Sequence, residues 1–200
     1  IAGSMPMAAR ANQATPAAGP AVDIDAIERF VTDALDQYGV PGAGVAIVQH
    51  GEPLLVAGYG VRSVDSGEPV DADTVFMLAS NTKPLTAFTL ATLVDEGAVA
   101  WTTPASEVIP ELRLMDAYAE LHATPRDFLA HRSGLPAFTG DQLAEFGYSV
   151  EETLRRLRYL TPGSSFRDIA AYSNLGYTIV GEMITRLTGG TWEAAMNERL

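Results

Sequence analysis

The chain is predicted to be an α/β protein of the α+β kind, an antiparallel sheet flanked by helices, and three patterns carry that prediction. Gly44-Val-Ala-Ile-Val-Gln-His50 and Pro53-Leu-Leu-Val-Ala-Gly-Tyr59 are strand-like segments joined through His50-Gly51-Glu52, which reads as a hairpin turn. Before them, Ile24, Ile27, Phe30, Val31 and Leu35 fall on one face of a helix that Tyr38-Gly-Val-Pro-Gly42 ends. After them, residues 98–170 are helical segments broken by Pro and Gly.

Taken in order, residues 1–21 read as a flexible leader rich in Ala and Pro, whose start, Ile1-Ala-Gly-Ser-Met5, partly resembles a cloning remnant. Residues 22–97 hold the first helix, the hairpin, the apolar extended run Thr74-Val-Phe-Met-Leu78 and an apolar helix from Pro84 to a terminating Gly97. In the helical region 98–170, Thr124-Pro-Arg-Asp127 starts one helix with a threonine cap and proline at the first position. Ser149-Val-Glu-Glu152 starts another with a capping-box pattern. Residues 171–200 contain Tyr172-Ser-Asn174 followed by further helices.

Composition narrows the partners. With 47% hydrophobic residues in 200, the chain has material for one or two cores. A net charge of -12 argues against nucleic acid and anionic membrane surfaces. Cysteine is absent, so disulfides and thiol chemistry are excluded. His50, His122 and His131 lack ligand spacing, so neither a metal nor another cofactor is expected. No apolar run reaches the length of a membrane span, and no intact signal peptide is visible.

Two short motifs carry chemistry. Lys83, the only lysine, stands three residues after Ser80, and positions i and i+3 share a helix face. A lysine so placed can take the proton of a serine hydroxyl, which is the logic of Ser-x-x-Lys. Ser80 precedes the apolar helix, where free amides and the dipole favour developing negative charge. Pro84 biases Lys83 away from helical angles and works against the shared face. Read alone, the pair also fits a helix cap beside a solvated charge. Tyr172 and Asn174, at the mouth of a second helix, fit a proton shuttle with a carbonyl donor, or equally a core residue with a cap. The loop 137–148 adds Phe138, Phe146 and Tyr148 as substrate contacts or core. Arg155, Arg156 and Arg158 read as a solvated helix face. A Ser-His-Asp triad is disfavoured because no Gly-x-Ser-x-Gly elbow occurs. His131 is expected to hydrogen-bond in the core, so that its loss would damage folding more than chemistry.

Together, Ser80-Asn-Thr-Lys83 and Tyr172-Ser-Asn174 resemble the β-lactamase-like serine hydrolases: class C β-lactamases, low-molecular-weight penicillin-binding proteins and family VIII carboxylesterases. Leu93-Val-Asp-Glu-Gly97, Trp101-Thr-Thr-Pro104, Ile109-Pro-Glu-Leu112, Thr124 through Pro136 and Pro162-Gly163 extend the resemblance over residues 24–200. The resemblance implies the β-lactamase/transpeptidase-like fold, with the helical region as an inserted domain. It implies that Ser80 is acylated, Lys83 activates it, Tyr172 is the general base and Asn174 orients substrate and lysine, while Phe138 and Tyr148 contact substrate. Small esters and D-amino-acid peptides or amides rank above β-lactams as substrates. A non-catalytic binding or assembly module is the alternative. A periplasmic or secreted location is implied too. The Lys-Thr-Gly or His-x-Gly third motif is missing, as are the C-terminal strands beside it, so a C-terminal segment or second chain is expected to complete the site. Residues 1–200 alone are expected to be incompetent.

Overall fold

A computed structural model describes residues 22–143 and 145–200; the leader assigned to residues 1–21 lies outside the described residues. The chain divides into two compact units, one ending at Met77 and the other running from Leu78 to Leu200.

In the first unit, α1 spans Ile24–Tyr38. Asp23 caps it by accepting the Ala26 N–H, and Gly39 closes it at φ 62°. Ile24, Ile27, Val31 and Leu35 are half-buried as their spacing demands, but Phe30 is exposed. Strands β1 (Gly42–Gln49) and β2 (Glu52–Gly60) pair antiparallel, and α1 packs on β2. The hairpin turn is His50-Gly51, with φ of 55° and 87°; positive φ at both positions matches the right-handed twist of the strands. His50 is thus the loop residue its sequence setting suggested. The Thr74–Leu78 run belongs to no helix or strand, and Val75 and Met77 are 93% and 94% exposed.

The second unit is helical. A 3₁₀ turn, Ala79–Asn81, leads into α2 (Thr82–Asp95), which Gly97 ends at φ 75°. Short helices follow: α3 (Ala105–Val108), α4 (Ala117–His122), α5 (Pro125–Leu129) and α6 (Val150–Arg156). Ser149 Oγ caps α6 by accepting the Glu152 N–H. Helix α7 (Asn174–Thr188) is the hub, touching α2, α3, α5, α6 and α8 (Trp192–Arg199). Its Ile179, Val180, Met183 and Ile184 are fully buried with Leu90, Ile109, Leu112, Phe128 and Leu157. Gly176 lets α7 approach α5, since a Cβ there would lie 3.1 Å from the Phe128 carbonyl oxygen. Helix α2 lies in this second unit, with its Leu90 and Leu93 buried in that unit's core.

One ion pair fixes the route towards the site. Asp127 Oδ2 accepts the N–H and hydroxyl of Thr124, completing the start of α5, and both carboxylate oxygens accept from Arg167 at 2.7 and 2.8 Å. Burial pushes the Asp127 carboxyl up, but the Arg167 guanidinium and Thr124 donors override it and hold it below its ordinary value. A depressed carboxylate contributes stability that is present above its unfolded pKa of about 3.9 and is lost as pH falls through the folded value. Asp127→Ala is expected to cost about 2–3 kcal/mol at pH 7, as loss of charged hydrogen bonds does. Urea denaturation should show that the gap from wild type narrows as pH falls below the unfolded value of about 3.9.

Candidate active site

The site is built where α2 and α7 begin. Asn81 and Thr82 are already helical, at φ -65° and -62°, so the chain enters Lys83 wound and Lys83 stays within α2 despite the following proline. Ser80 and Lys83 therefore share a face, and Lys83 Nζ lies 3.3 Å from Ser80 Oγ. Immediately before the serine, Ala79 holds φ 45°, a left-handed conformation unfavourable to any residue with a Cβ.

Residues from the mouth of α7 meet this turn. The Tyr172 hydroxyl is 2.7 Å from Ser80 Oγ. Asn174 Oδ1 accepts from Lys83 Nζ at 2.6 Å. Four residues picked from two motifs about ninety positions apart are thus hydrogen-bonded to one another. The ammonium also lies 4.7 Å from the Tyr172 ring centroid and 5.3 Å from that of Tyr177. Lys83, with the Ser80 hydroxyl adding, holds the Tyr172 phenol below the usual tyrosine range; burial and the charge of Asp141 oppose the shift. Chemically this is a primary alcohol in contact with an acidified phenol and an ammonium, a set able to move the hydroxyl proton as the oxygen attacks an electrophile.

The other expected residues divide. Phe138 is present: its ring stacks on Tyr172 with centroids 5.2 Å apart, and its N–H donates to the Tyr172 carbonyl. Tyr148 instead lies under the Arg156 guanidinium, 4.4 Å from its ring centroid, and Phe146 is exposed. Arg155 and Arg156 pair with Glu151 and Glu152 along the outer face of α6. A cavity of about 410 Å³ opens beside Lys83, lined among others by Thr86, Tyr177, Glu182 and Trp192; neither Phe138 nor Tyr148 lines it.

One neighbour was missed in the sequence, and a second was placed only in part. Asp141 Oδ2 accepts from Asn174 Nδ2 at 2.9 Å, which aims the amide oxygen at Lys83. It stands in loop 137–148, whose sequence marks the aromatics rather than the acid as candidate contacts. His131 does hydrogen-bond as expected, accepting the Ser173 N–H at 3.1 Å, but it does so stacked against Tyr172.

The electrostatics have a direct readout. Difference-absorbance titration of wild type against Tyr172→Phe should show one phenol ionising below the ordinary value of about 10. In Lys83→Met that ionisation should move back up; an unmoved midpoint would mean the ammonium is not its cause.

A family model described as Beta-lactamase matches residues 27–200. Esterase EstB of Burkholderia gladioli is 32% identical over 200 aligned residues, covering 90% of this chain and 49% of its own length. Unguisins hydrolase ungD of Aspergillus violaceofuscus is 31% identical over 170 residues, covering 81% of this chain and 30% of its own. The crystal structure of D-alanine carboxypeptidase AmpC from Burkholderia cenocepacia superposes with a TM-score of 0.68 at 26% identity, covering 88% of this chain and 46% of that one. The chain thus spans half or less of the relatives it matches, and its fold is the β-lactamase/transpeptidase-like one. Matched from within α1 to Leu200, it belongs to the beta-lactamase family.

Proposed function

We propose that this chain carries the nucleophile and the proton-transfer groups of a serine hydrolase that works through an acyl-enzyme on Ser80. The observation that carries the reading is the contact of Ser80 Oγ with both Tyr172, at 2.7 Å, and Lys83, at 3.3 Å. Ser80 Oγ attacks the substrate carbonyl carbon and its proton passes to the Tyr172 oxygen, whose phenolate form the Lys83 ammonium favours. The carbonyl electron pair moves onto oxygen, where the Ser80 backbone N–H is one donor. Collapse breaks the bond to the leaving group, which takes the proton from Tyr172. Water then adds to the acyl carbon with Tyr172 as base, the bond to Ser80 Oγ breaks, and the proton returns to that oxygen. Asn174 holds the ammonium in place throughout. Phe138, 61% exposed and stacked on Tyr172, contacts substrate beside the base.

The second oxyanion donor is assigned to residues outside this sequence, which contains no Lys-Thr-Gly or His-x-Gly motif. One missing donor typically costs about 3 kcal/mol of transition-state stabilisation. Small carboxylic esters and D-amino-acid peptides or amides are the substrates favoured, with β-lactams as acylating analogues. The names of the relatives, an esterase, a hydrolase and a D-alanine carboxypeptidase, support that breadth.

The full-length protein should gain the mass of penicillin on Ser80 and should hydrolyse p-nitrophenyl butyrate. Ser80→Ala and Lys83→Ala should abolish both signals, and Tyr172→Phe should slow turnover by about 10²–10⁴-fold without lowering the melting temperature. Unchanged hydrolysis in the Ser80 and Lys83 variants would overturn the enzyme and leave a binding module.

A further inference from the structure

The acyl-transfer route leaves the His131 imidazole, which lies against Tyr172, without a role. The His131 imidazole stacks on Tyr172 with centroids 4.6 Å apart and planes at 28°, and lies 5.4 Å from the Tyr177 ring. Its Nδ1 accepts the Ser173 N–H at 3.1 Å, and its main-chain carbonyl accepts the Ala171 N–H at 2.8 Å. These two bonds bracket Tyr172 in sequence. Ser173 is 2% exposed, and no other acceptor for its N–H is found among the described residues. A nitrogen that accepts is unprotonated, so the bond exists only with the neutral ring carrying its proton on Nε2. His131 itself holds φ 59°, a strained setting that persists only where its surroundings over-determine it.

We infer that neutral His131 is a positioning residue that latches the Tyr172-Ser173-Asn174 segment onto the nucleophile, and that its protonation releases the latch and switches hydrolysis off in acid. The inference rests on the acyl-enzyme reading of the site. On protonation Nδ1 becomes a donor, the buried Ser173 N–H loses its acceptor, and a second cation appears beside Lys83. Tyr172 and Asn174 flank Ser173, so both catalytic contacts loosen together.

The groups around the imidazole set the direction of its titration. Burial, and then the Lys83 ammonium of α2, hold His131 below its ordinary value of 6.5. Tyr172 and Tyr177 are the other titratable groups against it, and Asp141 acts on Tyr172. The neighbouring Arg132 turns its guanidinium to the Arg167 carbonyl, and Arg167 itself is paired to Asp127. A histidine depressed in the folded state contributes stability that is present above the unfolded pKa of about 6.5 and is lost as pH falls through the folded value. Latch and conformational stability therefore fail in the same direction.

The test uses the full-length protein and compares pH profiles of kcat and KM for wild type, His131→Asn and His131→Ala. Asparagine offers a non-titrating acceptor near the Nδ1 position and tolerates positive φ. His131→Asn should keep kcat near the wild-type value at neutral pH and should lose the wild-type acid limb, which moves to lower pH. His131→Ala should lose kcat on the order of 10²-fold, as misplaced catalytic groups do, with little change in KM. In wild type, the acid limb should coincide with the His131 midpoint read by NMR, and the Ser173 amide resonance should shift with it. An unmoved acid limb in His131→Asn, or wild-type kcat in folded His131→Ala, would overturn the latch. Should His131→Ala fail to fold, the His131→Asn profile still decides. If Ser80→Ala retains hydrolysis, the acyl-enzyme reading fails separately, and a Ser173 amide that ignores the His131 titration then overturns the latch by itself.

Discussion

The hydrogen bond from Lys83 to Asn174, 2.6 Å long and spanning 91 positions of sequence, ties the first turn of α2 to the first residue of α7. Its partners could not meet unless both helices were already packed. The packing is supplied by the buried faces of α2 and α7, where Leu90 and Leu93 join the core of Ile179, Val180 and Met183. The bond in turn decides where the only ammonium in the chain points. Held by Asn174, it lies within reach of Ser80 Oγ and over Tyr172, so one cation touches both the serine hydroxyl and the phenol.

Precision at this junction is maintained against local strain. Five non-glycine residues among those described have positive φ, and three of them are at the site: Ala79 precedes the nucleophile, while His131 and Phe138 touch Tyr172. Each left-handed residue costs about 1–2 kcal/mol relative to its relaxed backbone. A scaffold retains such conformations only where packing and hydrogen bonds over-determine them, and α7 provides both. For the proposed mechanism the gain is preorganisation: Ser80, Lys83 and Tyr172 are already in contact, so little reorganisation would remain for proton transfer.

Much of this was legible in the sequence because it depends on local rules. Cap, hairpin turn and helix stop follow from Ser149, His50-Gly51 and Gly97, each acting on its own few neighbours. The motif residues Ser80, Lys83, Tyr172 and Asn174 were legible through their spacing and their position at two helix mouths. What was not legible is tertiary. Asp141 is one of many acidic residues until the fold brings its carboxylate to Asn174, and Tyr148 looks like its neighbour Phe138 until Arg156 covers it. His131 carried a clear local sign, a turn before Ser-Gly, but nothing local says which ring it will lie against.

The order in which these groups are stacked matters for the chemistry. Asp141 and Lys83 are the opposite charges closest to Tyr172 in their effect, one raising the phenol and the other lowering it. Had they paired directly, the carboxylate would have neutralised the ammonium that lowers the phenol. The Asn174 amide is interposed between them, donating through nitrogen to Asp141 and accepting through oxygen from Lys83. A neutral spacer of fixed polarity thus orients the cation without discharging it. The proposed tyrosine base would need that separation, because a phenol is useful at neutral pH only while an adjacent cation keeps its anion accessible.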